Sequence, residues 1–435
     1  MAWNVGAGAC PRVTRRFLNV WFFAFWARMG GACVLAGCLA AAAVTGAAPA
    51  ALGSTASLST TQGYQDQLFG VAALSPSNTW AVGLHCPVKY ECGALPESST
   101  PLIEHWTGHA WSRAVISGSG SAQGGLEAVS ADSPHDIWAV GHKAIAASPY
   151  ETSLIMHWNG TAWSVMHSGF AGASLYGVSA LSPTDVWAVG YEDNMVKPSE
   201  TLTLHWNGST WSRIPCPSPG YQSAGYLQML NSVIALSADD AWAVGYYETV
   251  SQPNGVRLIV HWNGTKWSKV ANPKPDSVGS QLNGVSALSA TSLWTVGSFC
   301  TDSPEQCSPF DQYALAMRGN GTRWTDTVVP NPGGSNEYLG VAARTSSDAW
   351  AVGDDTTGDL RSPDEALIAH WDGIGWARVT SPESSASYNL LYGVSADAAN
   401  DAWAVGYYCI TACAGDGGTD YWLALHWNGT SWSQT

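Results

Sequence analysis

Between residues 173 and 190 the chain reads ASLYGVSALSPTDVWAVG, two short apolar runs joined by a polar SPTD. Runs of four to eight residues, alternating or β-branched and bounded by Ser, Pro, Asp or Gly, predict strands. A third run, LTLHW from Leu202, alternates apolar and polar positions. After Asn207-Gly208 a fourth, TWSRI from Thr210, completes the unit. Nothing after residue 50 sustains helical spacing over three turns.

The unit recurs. WAVG, once WTVG, begins at Trp80, Trp138, Trp187, Trp242, Trp294, Trp350 and Trp403, at intervals of 49 to 58 residues. Each copy carries the same four runs, so the sequence predicts four antiparallel strands repeated seven times. That pattern describes an all-β protein, a seven-bladed β-propeller of four-stranded antiparallel blades spanning 67–435. A two-sheet sandwich and an open solenoid are the alternatives. Residues 51–66 are read as a linker or, over Ala56 to Thr61, a supplementary strand that helps close the ring.

Tryptophan fixes how the units meet. Of the 24 tryptophans, 20 occupy three repeated positions: the WAVG residue, the HW residue such as Trp158, and the fourth-strand residue such as Trp163. Asn159-Gly160 predicts a two-residue type I′ hairpin, which places Met156 opposite Trp163 and makes Trp158 and Trp163 diagonal neighbours on one face. Both faces of a blade pack on other blades, so the indoles are expected to fill the seams. His157 then points to the opposite face. An aspartate two positions before WAVG (Asp136, Asp185, Asp240, Asp348, Asp401) lies near the same rim, with Asn78 in the first repeat. In the fifth repeat the histidine becomes Arg318 and the aspartate becomes Ser292 together. The joint change predicts contact, hence structural Asp–His hydrogen bonds in five blades. Metal binding at these histidines is not expected, because equivalent positions on successive blades stand too far apart to share an ion. No cofactor is expected.

Composition adds a compartment. The first 50 residues hold four arginines, no acid and the apolar stretch CVLAGCLAAAAVTGAAPA, which reads as a signal peptide ending at Ala48-Pro49-Ala50. Thr14-Arg15-Arg16-Phe17-Leu18 is similar to a twin-arginine signal, and Leu35-Ala36-Gly37-Cys38 fits a lipobox, so lipoprotein anchoring at Cys38 stays open. Beyond residue 50 the chain has 14 Lys+Arg against 33 Asp+Glu. Such a charge repels phosphate backbones and anionic lipid, which argues against nucleic acid and membrane insertion. Three cysteine pairs, Cys86/Cys92, Cys300/Cys307 and Cys409/Cys413, each begin three residues after a WAVG-type glycine. In an exported chain they are expected to form local disulfides. Cys216 has no assigned role.

Loop lengths distinguish the two rims. Turns between the first and second runs and between the third and fourth are short and uniform. Connections between the second and third runs, and between repeats, vary, and binding residues concentrate on loops held by a rigid scaffold. Two sets of candidate ligand-binding residues face that rim. His142, Tyr191, Tyr246, Asp354 and Tyr407 follow WAVG; Phe69, Glu127, Tyr176, Asn231, Asn283 and Tyr392 stand near the start of the innermost strand. Aromatic rings with acids and amides suit a sugar or peptide. The structural alternative is that the tyrosines cap seams between blades. Glu127 and Asp354 are the candidate acid and base if the chain cleaves glycosidic bonds.

The order of apolar strand, WAVG, and a hairpin ending in xGxxW, as at Gly160 and Trp163, resembles the BNR (Asp-box) propellers of sialidases and the related photosystem-assembly-factor propellers, as a bacterial repeat protein would, and is similar to kelch repeats. The resemblance covers Leu68 to Thr435. It implies the propeller fold. The aspartate that names the Asp-box is replaced here by Trp158, Trp206 or Trp262, and no sialidase arginine triad or galactose-oxidase copper set is recognisable. The expected function is therefore a secreted, non-enzymatic, monomeric module that binds a glycan or extracellular protein; the alternative is a propeller-fold polysaccharide hydrolase or lyase.

Overall fold

A computed structural model describes residues 64–87, 99–117, 123–144, 151–166, 170–193, 199–222, 226–273, 278–301, 312–356, 365–382, 388–410 and 419–435. The expected signal peptide and supplementary strand lie outside the described residues. Seven sheets follow one another along the chain, each with four antiparallel strands side by side in chain order. Blade 3 is representative, with strands Ala173–Ser182, Asp185–Glu192, Glu200–Trp206 and Trp211–Arg213 from the axis outward. The first strand of blade 1 begins at Tyr64, three residues before the expected boundary. Among the described residues blade 2 alone gains a fifth strand, Ile116–Ser117, lying parallel to its outer strand Trp163–Met166. No helix occurs among the described residues.

The second strand explains why its sequence is apolar throughout. In blade 3, Val186 and Ala188 join a cluster with Trp138 and Val140 of blade 2. Their neighbours Trp187 and Val189 join Leu230, Ala241 and Leu258 of blade 4. Alternation along a strand sends successive side chains to opposite faces, and here both faces are covered by protein. The glycine ending WAVG has a separate cause: a Cβ at Gly190 would collide with the Ser174 carbonyl oxygen of the paired inner strand.

Tryptophan triads fill the seams. Trp138 of blade 2 packs 5.4 Å from both Trp206 and Trp211 of blade 3, one tilted and one edge-on. Trp80, Trp187, Trp294, Trp350 and Trp403 do the same with the next blade. Between blades 4 and 5 the triad is a pair, Trp242 and Trp324, because Gly319 stands at the third position. Burying two or three indoles of 150–250 Å² per seam makes this the largest repeated apolar contribution.

The hairpin differs from the two-residue turn expected from Asn159-Gly160. Trp158 pairs directly with Trp163, and Met156 with Val165, so the turn has four residues. Asn159 Oδ1 accepts hydrogen bonds from the backbone N–H groups of Thr161 and Ala162 and from the Thr161 hydroxyl. One amide thereby satisfies the turn and makes the longer form favourable. Gly160 has φ 90°, and a Cβ there would lie 2.9 Å from the His135 ring of the neighbouring turn.

The histidine rule holds. His157, His205, His261, His370 and His426 each donate Nε2–H to the expected aspartate, and His105 donates to Asn78. Each imidazole also lies over its own blade's WAVG indole, at ring centroid separations of 3.9 to 4.4 Å.

The ring closes without strand exchange among the described residues. Blade 1 meets blade 7 through Trp403 against Trp106 and Trp111. Ala73 N–H donates to Ser395 Oγ at 3.0 Å, Gln67 Nε2 to Asp420 at 2.6 Å, and Trp111 Nε1 to Thr435 Oγ1 at 2.9 Å. The serine bridge recurs as Ala180 to Ser130, Ala235 to Ser179 and Ala343 to Ser286.

Candidate functional site

The six residues expected near the start of the innermost strand share a feature that the sequence did not reveal. Phe69, Glu127, Tyr176, Asn231, Asn283 and Tyr392 are the extra residues of β-bulges, flanked by register shifts such as Leu175 to Gly177. Leu339 holds this place in blade 6. A bulge leaves one residue without a cross-strand partner and re-aims it. The set after WAVG pairs just beyond it, as Ser174 with Tyr191 and Met229 with Tyr246.

These residues divide into groups. Asn231 Nδ2 donates to the Leu282 carbonyl of blade 5 at 2.8 Å, and Asn283 Nδ2 to the Tyr338 carbonyl of blade 6 at 3.0 Å. Both amides are therefore inter-blade clamps. Phe69 meets Tyr392 edge-on at 5.0 Å, and Tyr392 lies 6.0 Å from Tyr407. With Leu84, Leu339 and Leu390 they form an apolar cluster across blades 6, 7 and 1, and all are buried. Here the capping alternative describes the tyrosines better than an open pocket does.

Across the ring, Tyr176 and Tyr191 of blade 3 stack at 6.1 Å with an interplanar angle of 20°. They stay partly exposed and rest on Leu227, Met229 and Tyr246 of blade 4. Ser174 donates to Glu151 Oε2 at 2.6 Å on one flank. On the other, Glu248 accepts from the Leu227 N–H at 3.0 Å. Burial pushes the Glu248 carboxyl up to about 7, partly offset by that hydrogen bond. Burial, then the charges of Glu151 and Asp193, holds the Tyr191 hydroxyl above its ordinary range.

Glu127 and His142 are both buried in blade 2, with Oε1 and Nδ1 3.7 Å apart. Asp354 is buried on blade 6, three blades away round the ring. Two polar groups escaped the sequence reading. Glu337 of blade 6 accepts from Gln281 and Ser298 of blade 5. Arg257 of blade 4 is 1% exposed and donates Nη1 to Asp326 of blade 5 at 3.0 Å, while its Nε and Nη2 find no partner among the described residues. A single arginine in a strand gives no sequence signal of burial.

The cysteines depart in part from expectation. Cys300 is buried and free, so the expected bridge to Cys307, which lies outside the described residues, is not formed. Cys86 and Cys409 are disulfide-bonded; Cys92 and Cys413 also lie outside the described residues. Burial pushes the Cys216 thiol up to about 12, which makes it an unreactive packing residue. Among the described residues no group of three or more His, Cys, Asp or Glu is placed to hold a metal ion.

No known protein family and no curated protein matches the sequence. Solved structures match in shape. An ulvan lyase of polysaccharide lyase family PL25 is 11% identical, with 86% of this chain and 97% of that chain covered and a TM-score of 0.52. YCF48 from Cyanidioschyzon merolae is 13% identical over 84% of this chain and 99% of its own, with a TM-score of 0.47. A fucose-specific lectin from Aleuria aurantia is 11% identical over 71% and 94%, with a TM-score of 0.39. At such identities the likeness is one of architecture, and the chain is a seven-bladed β-propeller of four-stranded antiparallel sheets.

Proposed function

We propose that this chain is an exported binding module that presents its loop-bearing rim to a glycan or an extracellular protein. The observation that carries this reading is the partly exposed Tyr176–Tyr191 stack at that rim, with hydrogen-bonding carboxyls on both flanks. Flat aromatic faces beside a few fixed polar groups are what a sugar ring or peptide needs. Export rests on the arginine-bearing apolar leader, and the bridges Cys86–Cys92 and Cys409–Cys413 belong to the same reading. The excess of acids disfavours nucleic acid.

The test is a glycan array and a pull-down from culture supernatant with the intact exported chain, alongside a turnover assay on any polysaccharide bound. Saturable binding without turnover, weakened by Tyr191→Ala, is the expected result. Turnover that collapses in Glu127→Gln would replace the module by an enzyme using Glu127.

A further inference from the structure

We infer that the upper end of the seam between blades 3 and 4 is a subsite for an amino sugar, its ammonium group facing Glu151 and Asp193 and its pyranose ring lying on the tyrosines. The inference rests on the binding-module reading and names the ligand class for it.

Three observations converge there. First, the partly exposed Tyr176–Tyr191 stack packs on the buried Tyr246, Leu227 and Met229, which hold it in place. Second, Tyr221 and Tyr226, on the segment leading into blade 4, meet edge-on at 4.9 Å, and Tyr221 is 46% exposed. The Tyr221 N–H donates to the Glu248 carbonyl at 2.9 Å, which ties this second ring pair to the same strand as Tyr246.

Third, among the described residues the charged groups that act on Tyr191 are acidic. Glu151 and Asp193 are held beside Tyr191 by a backbone relay: Gly172 N–H donates to the Glu151 carbonyl, and Asp193 N–H to the Gly172 carbonyl. Both carboxylates act on the Tyr191 hydroxyl. The nearby Arg213 is already paired with Glu192 and Glu200 at 2.6 and 2.7 Å. Aromatic faces attract cations through the ring quadrupole, and tyrosine faces also take the C–H face of a pyranose. A ligand carrying both an apolar ring face and a positive charge uses every part of this surface. A neutral sugar leaves the carboxylates unused, and a carboxylated sugar is repelled by them. With its pKa near 7, Glu248 is mostly protonated at pH 6 and serves as a neutral hydrogen-bond group.

The experiment is calorimetry on the full chain at pH 6 and low salt, with a glucosamine tetramer and its fully N-acetylated counterpart. The expected result is about tenfold tighter binding of the amino form, a preference that shrinks with added salt. Tyr191→Ala and Glu151→Gln are each expected to weaken the amino form about tenfold, and Tyr191→Phe to retain it. Glu151→Gln and the salt series decide the matter if Tyr191→Ala does not fold. Equal affinity for both tetramers, preference for the acetylated form, or no binding of either overturns the inference. So does a lysine peptide that binds this seam while the amino sugar does not. Binding of neutral glycans alone would overturn the amino-sugar subsite and leave the binding module standing; silence towards every glycan and protein would remove both.

Discussion

The guanidinium of Arg318 lies 5.7 Å from the ring of Trp294, in the place that histidine occupies over the corresponding tryptophan of the other six blades. It also reaches Trp371 of the next blade, 5.9 Å away. A planar cation substitutes for a planar ring, and the aspartate the ring required has become Ser292. Arg318→His alone is expected to lower stability, because the imidazole would lack its carboxylate. Arg318→His with Ser292→Asp should recover most of the loss, and a double-mutant cycle by chemical denaturation measures that coupling.

Trp138→Ala should cost about 3–5 kcal/mol, the range for deleting a buried large aromatic side chain. Trp138 is 1% exposed and touches two indoles of the next blade. Trp422, outside the repeated positions and only partly buried, should cost less when truncated. Denaturant midpoints of the two variants give the order.

Gly319→Trp restores the repeated residue but is expected to destabilise. The ring of Trp324 has moved to within 3.0 Å of where a Cβ at Gly319 would stand. A new indole would meet an occupied volume, and overpacking costs typically about 1–3 kcal/mol. A raised melting temperature in this variant would contradict the account.

Arg257→Met should leave stability unchanged or raise it, because the arginine buries two donors that have no partner among the described residues. Asp326→Ala should do the reverse, since it strips the buried guanidinium of its carboxylate. Comparing the two melting temperatures checks the order.

Glu248 gives stability a defined pH slope. Its folded pKa of about 7 exceeds the ordinary 4.5, so the folded state holds the proton more tightly than the unfolded chain. That contribution is complete below pH 4.5 and is lost as pH rises through 7. The full effect is on the order of 3 kcal/mol. Melting curves at pH 5 and pH 8 should differ less in Glu248→Gln than in the parent chain.

The blade count, the seam tryptophans and the Asp–His pairs were legible because each repeats five to seven times within the same motif. Repetition also made the joint change at Arg318 and Ser292 readable as contact. The hairpin was misread because Asn-Gly fits two turn lengths, and the choice falls to a side-chain oxygen with three donors within reach. The rim residues were located but not sorted. A bulge has no composition of its own, so Asn231 and Asn283 looked like ligand groups when they clamp neighbouring blades. Cys300 sits at the same offset as Cys86 and Cys409, and spacing alone did not distinguish its free thiol from their bonded sulfurs.

Each blade is woven from one uninterrupted stretch of chain, and the junction of first and last uses the same indoles and serine bridge as the interior junctions. The place where the polypeptide is cut is therefore structurally arbitrary. Tandem duplication could add a sector without a dedicated latch, and a circularly permuted gene opened between any two blades should yield the same ring.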